Sequence, residues 1–142
     1  MRGGRIGRWT VVTAALTAAV GCGARAEPPP VSPQLGAAFT LAPGETARLD
    51  QDRLTVTFGE VPADSRCPAG TDCVWEGDAT VIAEAAAGGQ SSRHELHTNR
   101  RFPTGATVGR YRIELVALRP SRPGIGMVPA PDYRAELLVT AQ

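Results

Sequence analysis

The stretch YRIELVA, residues 111–117, alternates apolar and polar side chains, with Tyr111, Ile113, Leu115 and Ala117 on one face. The same period of two recurs in two further stretches, at Leu54, Val56 and Phe58 and at Tyr133, Ala135, Leu137 and Val139. This period is typical of β-strands that bury one face, whereas a helical period is convincing nowhere. The chain is therefore predicted to be all-β.

About seven such strands, separated by turn residues, predict one small antiparallel β-sandwich over residues 37–142, immunoglobulin-like in the broad sense. Parallel strands would read as continuous apolar runs rather than as alternation. A small β-barrel is the alternative. After Phe58 the next apolar residue is Val61, and this phase slip predicts a β-bulge at Gly59.

The N-terminus has the parts of a secretory signal. Arg2, Arg5 and Arg8 form a positively charged region, and an apolar stretch of about a dozen residues follows. That stretch is shorter than the roughly 18 residues that a membrane-spanning helix needs. Residues 1–21 are therefore predicted to be a signal peptide that is removed.

The motif AVGC at residues 19–22 resembles the bacterial lipobox. The resemblance implies that Cys22 receives a diacylglycerol, becomes the first residue of the mature chain and is acylated on its amine, with palmitate as the expected label. The alternative is ordinary cleavage after the ARA of residues 24–26, which would discard Cys22. Residues 22–36, with a run of three prolines, are predicted to be a stiff tether at the extracytoplasmic side of a membrane.

Composition narrows the functional classes. The chain has fifteen arginines and no lysine, and three arginines lie in the signal, so twelve face fourteen acids and the mature net charge is about −2. This balance and the few aromatics argue against a nucleic-acid partner, and lysine chemistry is excluded.

Cys67 and Cys73 remain as an even pair outside the cytosol, which predicts a disulfide.

The most distinctive motifs are DSRCP at residues 64–68 and CVWEGDA at residues 73–79. Together with residues 111–115, 118–120 and 131–135, they resemble a family of uncharacterised bacterial exported proteins and lipoproteins. The resemblance covers most of the domain and implies a β-rich exported domain with a short disulfide loop. It transfers no catalytic residue.

The loop between the two cysteines is the candidate functional region. Its closure would stabilise the fold by roughly 2.4 kcal/mol. The strand register predicts that Trp75 faces the core beneath the loop while Glu76 and Asp78 face outward. Rigid loops carry binding disproportionately, so the candidate binding residues are Thr71, Asp72, Glu76 and Asp78. The alternative is that the loop only staples a modest core.

No metal site, cofactor or catalytic residue is predicted. His94 and His97 point to opposite faces of a strand, and neither has an obvious serine or carboxylate partner. The acids near the loop lack the ligand order of a calcium loop. Residues 120–131, rich in proline, are predicted to form a rigid surface crossover between two sheets.

The first functional hypothesis is a lipid-anchored, non-catalytic domain that binds a protein or small ligand of the envelope, or supports the envelope. The second is an exported protease inhibitor that presents the rigid disulfide loop. The third is an enzyme of unknown class, which a pocket with converging titratable groups would favour.

Overall fold

Nine β-strands and one 3₁₀ turn form the part of the chain that the computed structural model describes, residues 28–124 and 126–142. The strands are β1 (Ala38–Leu41), β2 (Thr46–Leu49), β3 (Leu54–Phe58), β4 (Ala63–Asp64), β5 (Ala79–Ala87), β6 (Gln90–His97), β7 (Gly105–Val108), β8 (Tyr111–Arg119) and β9 (Arg134–Ala141). The 3₁₀ turn spans Ala130–Asp132. The predicted signal segment and the predicted lipidation residue Cys22 lie outside the described residues.

The strands form two antiparallel sheets that are not closed into a barrel, which confirms the predicted sandwich. One sheet has the order β1-β9-β8-β7. In the other sheet β2 pairs with β3, both β3 and β4 pair with one side of β5, and β6 pairs with the opposite side.

The core lies between the sheets and contains the apolar faces that the alternation predicted. The largest fully buried members are Phe58, Leu41, Leu49, Leu54, Leu96, Ile113 and Leu137. Each such side chain stabilises the fold by about 1.5–3 kcal/mol through its burial. Ala79, Ala83 and Ala85 occupy inward positions of β5, and these small side chains contribute less area. The core is therefore modest and gains from covalent and polar stabilisation at its margins.

Two bulges shift the strand registers. Gly59 N donates to Ile82 O, and Ile82 N donates to Glu60 O, both at 2.8 Å. Gly59 and Glu60 therefore both lie opposite the single residue Ile82 of β5, which confirms the bulge predicted at Gly59. A second bulge was not predicted: Leu115 pairs with Leu137 but Ala117 pairs with Glu136, which leaves Val116 exposed. The alternation assigned Ala117 to the core, and this was wrong because the bulge buries Leu118 instead.

The segment before β1 lies against the sandwich from Val31 onward. Val31 forms a parallel bridge with Ala47, with hydrogen bonds from Val31 N to Thr46 O (3.0 Å) and from Arg48 N to Val31 O (2.8 Å). Gly36 N then donates to Val139 O. These contacts cover the outer edge of β2, and covered edges protect a sheet from pairing with another chain.

The sandwich has two ends with different contents. The end that we call the loop end carries residues 42–45, 59–78, 98–104 and 120–133, since β1, β3 and β8 end there while β5 and β9 begin there. The opposite end, which we call the hairpin end, carries the tight turns at residues 50–53, 88–89 and 109–110.

Candidate functional site

The first limb of the disulfide loop, residues 64–67, is held by a largely buried ion pair between Asp64 and Arg66. Arg66 Nε and Nη2 donate to the two carboxylate oxygens of Asp64 at 2.9 and 2.7 Å. Arg66 also donates to the carbonyls of Leu118 (2.7 Å) and Pro120 (2.9 Å), and the Tyr133 hydroxyl donates to Asp64 at 3.0 Å. One guanidinium thereby ties the loop to the opposite sheet.

The electrostatics of this pair suit a structural role. The Asp64 and Arg66 side chains are only 8% and 15% exposed. Burial raises the pKa of Asp64, but the hydrogen bonds and charge of Arg66 outweigh it and hold that pKa below its ordinary value. Burial and the bond to Asp64 raise the pKa of Tyr133. Asp64 is therefore a carboxylate, and Tyr133 a neutral phenol, at neutral pH.

The predicted disulfide is confirmed: Cys67 and Cys73 are bonded, with their Cα atoms 5.9 Å apart. Two further bonds order the loop, from Ala69 N to Arg122 O at 3.0 Å and from the Thr71 hydroxyl to Pro68 O at 2.7 Å. Residues 69–72 are exposed. The loop thus presents a short, cross-linked tip of small side chains.

The second limb, residues 73–76, corrects the sequence prediction for Trp75. Trp75 is 71% exposed and Val74 92% exposed, so the expectation of a buried tryptophan was wrong. The reason is that β5 begins only at Ala79, and Gly77, at φ +67°, breaks the alternation before it. A Cβ on Gly77 would lie 1.9 Å from the Ser65 carbonyl oxygen, so the two limbs touch at this glycine.

Asp78 also departs from its predicted outward orientation. Its side chain is 18% exposed and accepts hydrogen bonds from His97 Nδ1 (2.6 Å), the Thr98 hydroxyl (3.2 Å) and Asn99 N (2.9 Å). Burial raises the pKa of Asp78, but the bonds from His97 and Asn99 outweigh it and lower that pKa. Asp78 turns inward because it anchors the segment that follows β6.

The other three predicted binding residues, Thr71, Asp72 and Glu76, are exposed at the loop end. Glu76 lines two open clefts at this end. Their role in binding stays a prediction.

Each of the two histidines has a hydrogen-bond partner that the sequence analysis did not identify. His94 Nε2 lies 2.8 Å from the Ser92 hydroxyl, and His97 bonds Asp78. The Ser92–His94 spacing of two along a strand was visible in the sequence, whereas the Asp78–His97 contact depends on the pairing of β5 with β6. These are separate pairs rather than a triad. Within the described residues no group of three metal-ligating side chains occurs.

A cleft of about 620 Å³ lies between the second limb and residues 99–102. The Arg101 guanidinium lies 5.9 Å from the centre of the Trp75 ring. Phe102 is half exposed, and its ring centre lies 5.1 Å from that of His97. Arg101 and Phe102 were missed by the sequence prediction, since no motif marks them and only the fold brings them to Trp75.

The connection at residues 120–131 was predicted to cross between sheets, and this was wrong: it joins β8 and β9, neighbours in one sheet. Arg66 holds the start of the connection, Val128 is buried near its end, and Met127 is 86% exposed. The connection therefore adds Met127 to the exposed apolar side chains of the loop end.

None of the helices found in residues 28–124 and 126–142 is long and apolar enough to span a membrane. Comparison of the chain with protein-family models, with curated proteins and with solved structures finds no match.

Proposed function

We infer that the chain is an exported lipoprotein whose non-catalytic domain works by binding through its loop end. In this proposal residues 1–21 are a removed signal peptide, and Cys22 carries the lipid that anchors the domain on the extracytoplasmic side of a membrane. The observation that carries the proposal is the exposed pair Val74 and Trp75 on the second limb. The disulfide joins this limb to the first limb, which Arg66 ties to the opposite sheet.

The preorganised loop end favours binding. A loop that is already ordered loses little conformational entropy when a partner arrives. Tryptophan and arginine are also the side chains that dominate the energetics of interfaces. Trp75 and Arg101 meet beside an open cleft, so the loop end combines a rigid frame with the right chemistry.

The same geometry argues against catalysis. A general acid or base works best with a pKa near the operating pH, whereas the pKa values of Asp64 and Asp78 are lowered and both side chains hold structure. The partners that this proposal allows are the membrane, through the lipid, and a protein or small ligand of the envelope. It includes neither a cofactor nor a nucleic acid.

A protease inhibitor is the second candidate, because the cross-linked tip at residues 69–72 is exposed and doubly hydrogen-bonded. It makes a separate prediction: Thr71→Ala with Asp72→Ala should abolish inhibition of an envelope protease, while Trp75→Ala should leave it unchanged. Under the binding proposal the order of the two effects is reversed.

The anchor is tested first. Cys22→Ser should abolish palmitate incorporation and leave uncleaved or mis-cleaved precursor, because the lipid and the cleavage of the signal peptide both depend on this cysteine in the proposal. A mutant that still partitions like the wild type contradicts lipidation at Cys22.

The binding surface is tested in the lipidated chain with a photoreactive amino acid at position 75 or 102, and with Ser91 at the hairpin end as the matched control. Cross-links to the binding partner should form from positions 75 and 102, and their yield should fall in the Glu76→Ala variant. Equal cross-linking from position 91 would contradict a binding role specific to the loop end.

A further inference from the structure

Among the described residues, four of the five exposed large apolar side chains lie at one end of the sandwich. Val74, Trp75, Phe102 and Met127 all lie at the loop end, whereas Val116 lies on an outer sheet face. Isolated exposed apolar residues are ordinary, but clusters of them mark surfaces that contact a protein or a membrane.

The chain leaves the domain toward this same end. Val31 pairs in parallel with Ala47, so the residues before Val31 run back toward the start of β2. The prolines at positions 28–30 accordingly line one shallow cleft with Gly44 and Thr46. Gly44 belongs to the loop end, where its N–H donates to the Phe58 carbonyl. Any anchor that precedes residue 28 is therefore attached on the loop-end side.

The available length of chain keeps the loop end close to that anchor. Pro28 lies six positions after Cys22, and six fully extended residue steps span at most about 20 Å. Phe58, beside Gly44, pairs with Ala83, and β5 begins four residues earlier at Ala79. At about 3.3 Å per residue, β5 therefore extends about 13 Å past Gly44 in the direction in which the chain leaves.

We propose that the loop end is a bilayer-contact surface, with Trp75 and Phe102 at the level of the lipid headgroups. This inference rests on the proposed lipidation of Cys22 and names the partner of the proposed binding surface. Tryptophan favours the membrane interface because its ring is apolar and its N–H is polar. Arg101, whose guanidinium lies 5.9 Å from the centre of the Trp75 ring, and its exposed neighbour Arg100 supply donors for lipid phosphates.

The anchor favours lipid over a protein as the occupant. A tethered surface meets the bilayer at the high effective concentration that a short linker sets, whereas a protein partner must diffuse to it. Asp72 and Glu76 are also exposed at this end, so its charge is mixed. The contact therefore depends on the apolar side chains more than on net charge, and we expect weak dependence on salt.

Trp75 offers a direct test, because the only other tryptophan, Trp9, lies in the predicted signal peptide. The mature chain, with lipidation at Cys22 checked by intact mass, is reconstituted into protein-free vesicles of phosphatidylethanolamine and phosphatidylglycerol with brominated acyl chains. We expect the Trp75 emission to shift to shorter wavelength and to be quenched by bromine. The matched control moves the reporter to the hairpin end, as Ser91→Trp with Trp75→Phe, and its emission should stay unshifted and unquenched.

The outcomes separate the inference from the function on which it rests. A mature chain without lipid on Cys22 overturns the proposed function and this inference together. A lipidated chain whose Trp75 remains unquenched overturns the inference alone and leaves an envelope protein as the partner. Equal quenching of both reporters also overturns it, since the domain would then have no preferred end toward the bilayer.

Discussion

The two limbs of the disulfide loop share one covalent bond but treat their side chains in opposite ways. The first limb buries the charged Arg66 against Asp64 and two carbonyls, whereas the second limb exposes Val74 and Trp75. The guanidinium can be largely buried because four hydrogen bonds, two to Asp64 and one to each carbonyl, satisfy most of its five donors. The polar first limb therefore holds the loop end in place, and the apolar second limb supplies its exposed surface.

The contact between the limbs should be the most sensitive point. We expect Gly77→Ala to lower the free energy of unfolding by about 3–4 kcal/mol, because it adds left-handed strain to a clash with the Ser65 carbonyl. Gly70→Ala is the matched control, since Gly70 has φ +77° but open space around it, and it should cost about 1–2 kcal/mol. Equal losses of stability for the two variants in urea denaturation would contradict the close contact between Gly77 and Ser65.

Removing the arginine tests the first limb itself. Arg66→Ala should lower stability by about 3 kcal/mol, since it removes the opposite charge and two hydrogen bonds from Asp64, and the guanidinium donors from two carbonyls. Arg93→Ala removes the exposed pairs with Glu60 and Glu84 and should cost at most about 1 kcal/mol. Similar denaturation midpoints for the two variants would contradict the structural role of Arg66.

The covalent link between the limbs should matter somewhat less. Cys67→Ser combined with Cys73→Ser is expected to lower stability by about 2–3 kcal/mol, in line with the small loop that the bond closes. Thermal unfolding of the oxidised wild type and of the double variant measures the difference. If reduction of the wild type changes nothing, the ion pair alone holds the first limb.

Acid should weaken the ion pair that holds the first limb. The pKa of Asp64 is lowered in the folded state, so its contribution is complete above the unfolded value of about 3.9 and is lost as pH falls through the lower folded value. Stability measured from pH 6 downward should therefore fall below about pH 4. In Arg66→Ala that acid-dependent loss should shrink, and an unchanged slope would contradict the assignment to Asp64.

The smallest effect is expected on the second limb. Trp75→Ala should change the free energy of unfolding by no more than about 0.5 kcal/mol, as for other exposed positions. Phe58→Ala, at a fully buried aromatic, should cost about 3–5 kcal/mol. Comparable losses for the two would show that Trp75 packs in the core after all.

The sandwich, the bulge at Gly59 and the disulfide were predictable because their signals are local. Alternation, a phase slip and a short cysteine spacing can each be read within a few residues. The bulge at Val116 has no such mark, since no glycine or proline interrupts the sequence there. The alternation consequently assigned Ala117 to the core in place of Leu118.

The candidate site was predicted only in part, because its contacts are distant in sequence. Arg66 bonds carbonyls 52 and 54 residues away, and no spacing rule reveals these partners. Trp75 was placed in the core by extending the alternation of β5 backward through Gly77, where the backbone turns. The backbone turn at Gly77 therefore determines that Trp75 lies on the surface and not in the core.

The parallel bridge of Val31 on β2 has a mechanical consequence. A pull on the N-terminal anchor acts along the direction of β2, because the chain before Val31 runs parallel to that strand. Such a load shears the bonds to Thr46 and Arg48 together, whereas a pull across the sheet would open them one after the other. The attachment point is thus oriented to transmit tension into the sandwich rather than to peel its edge strand away.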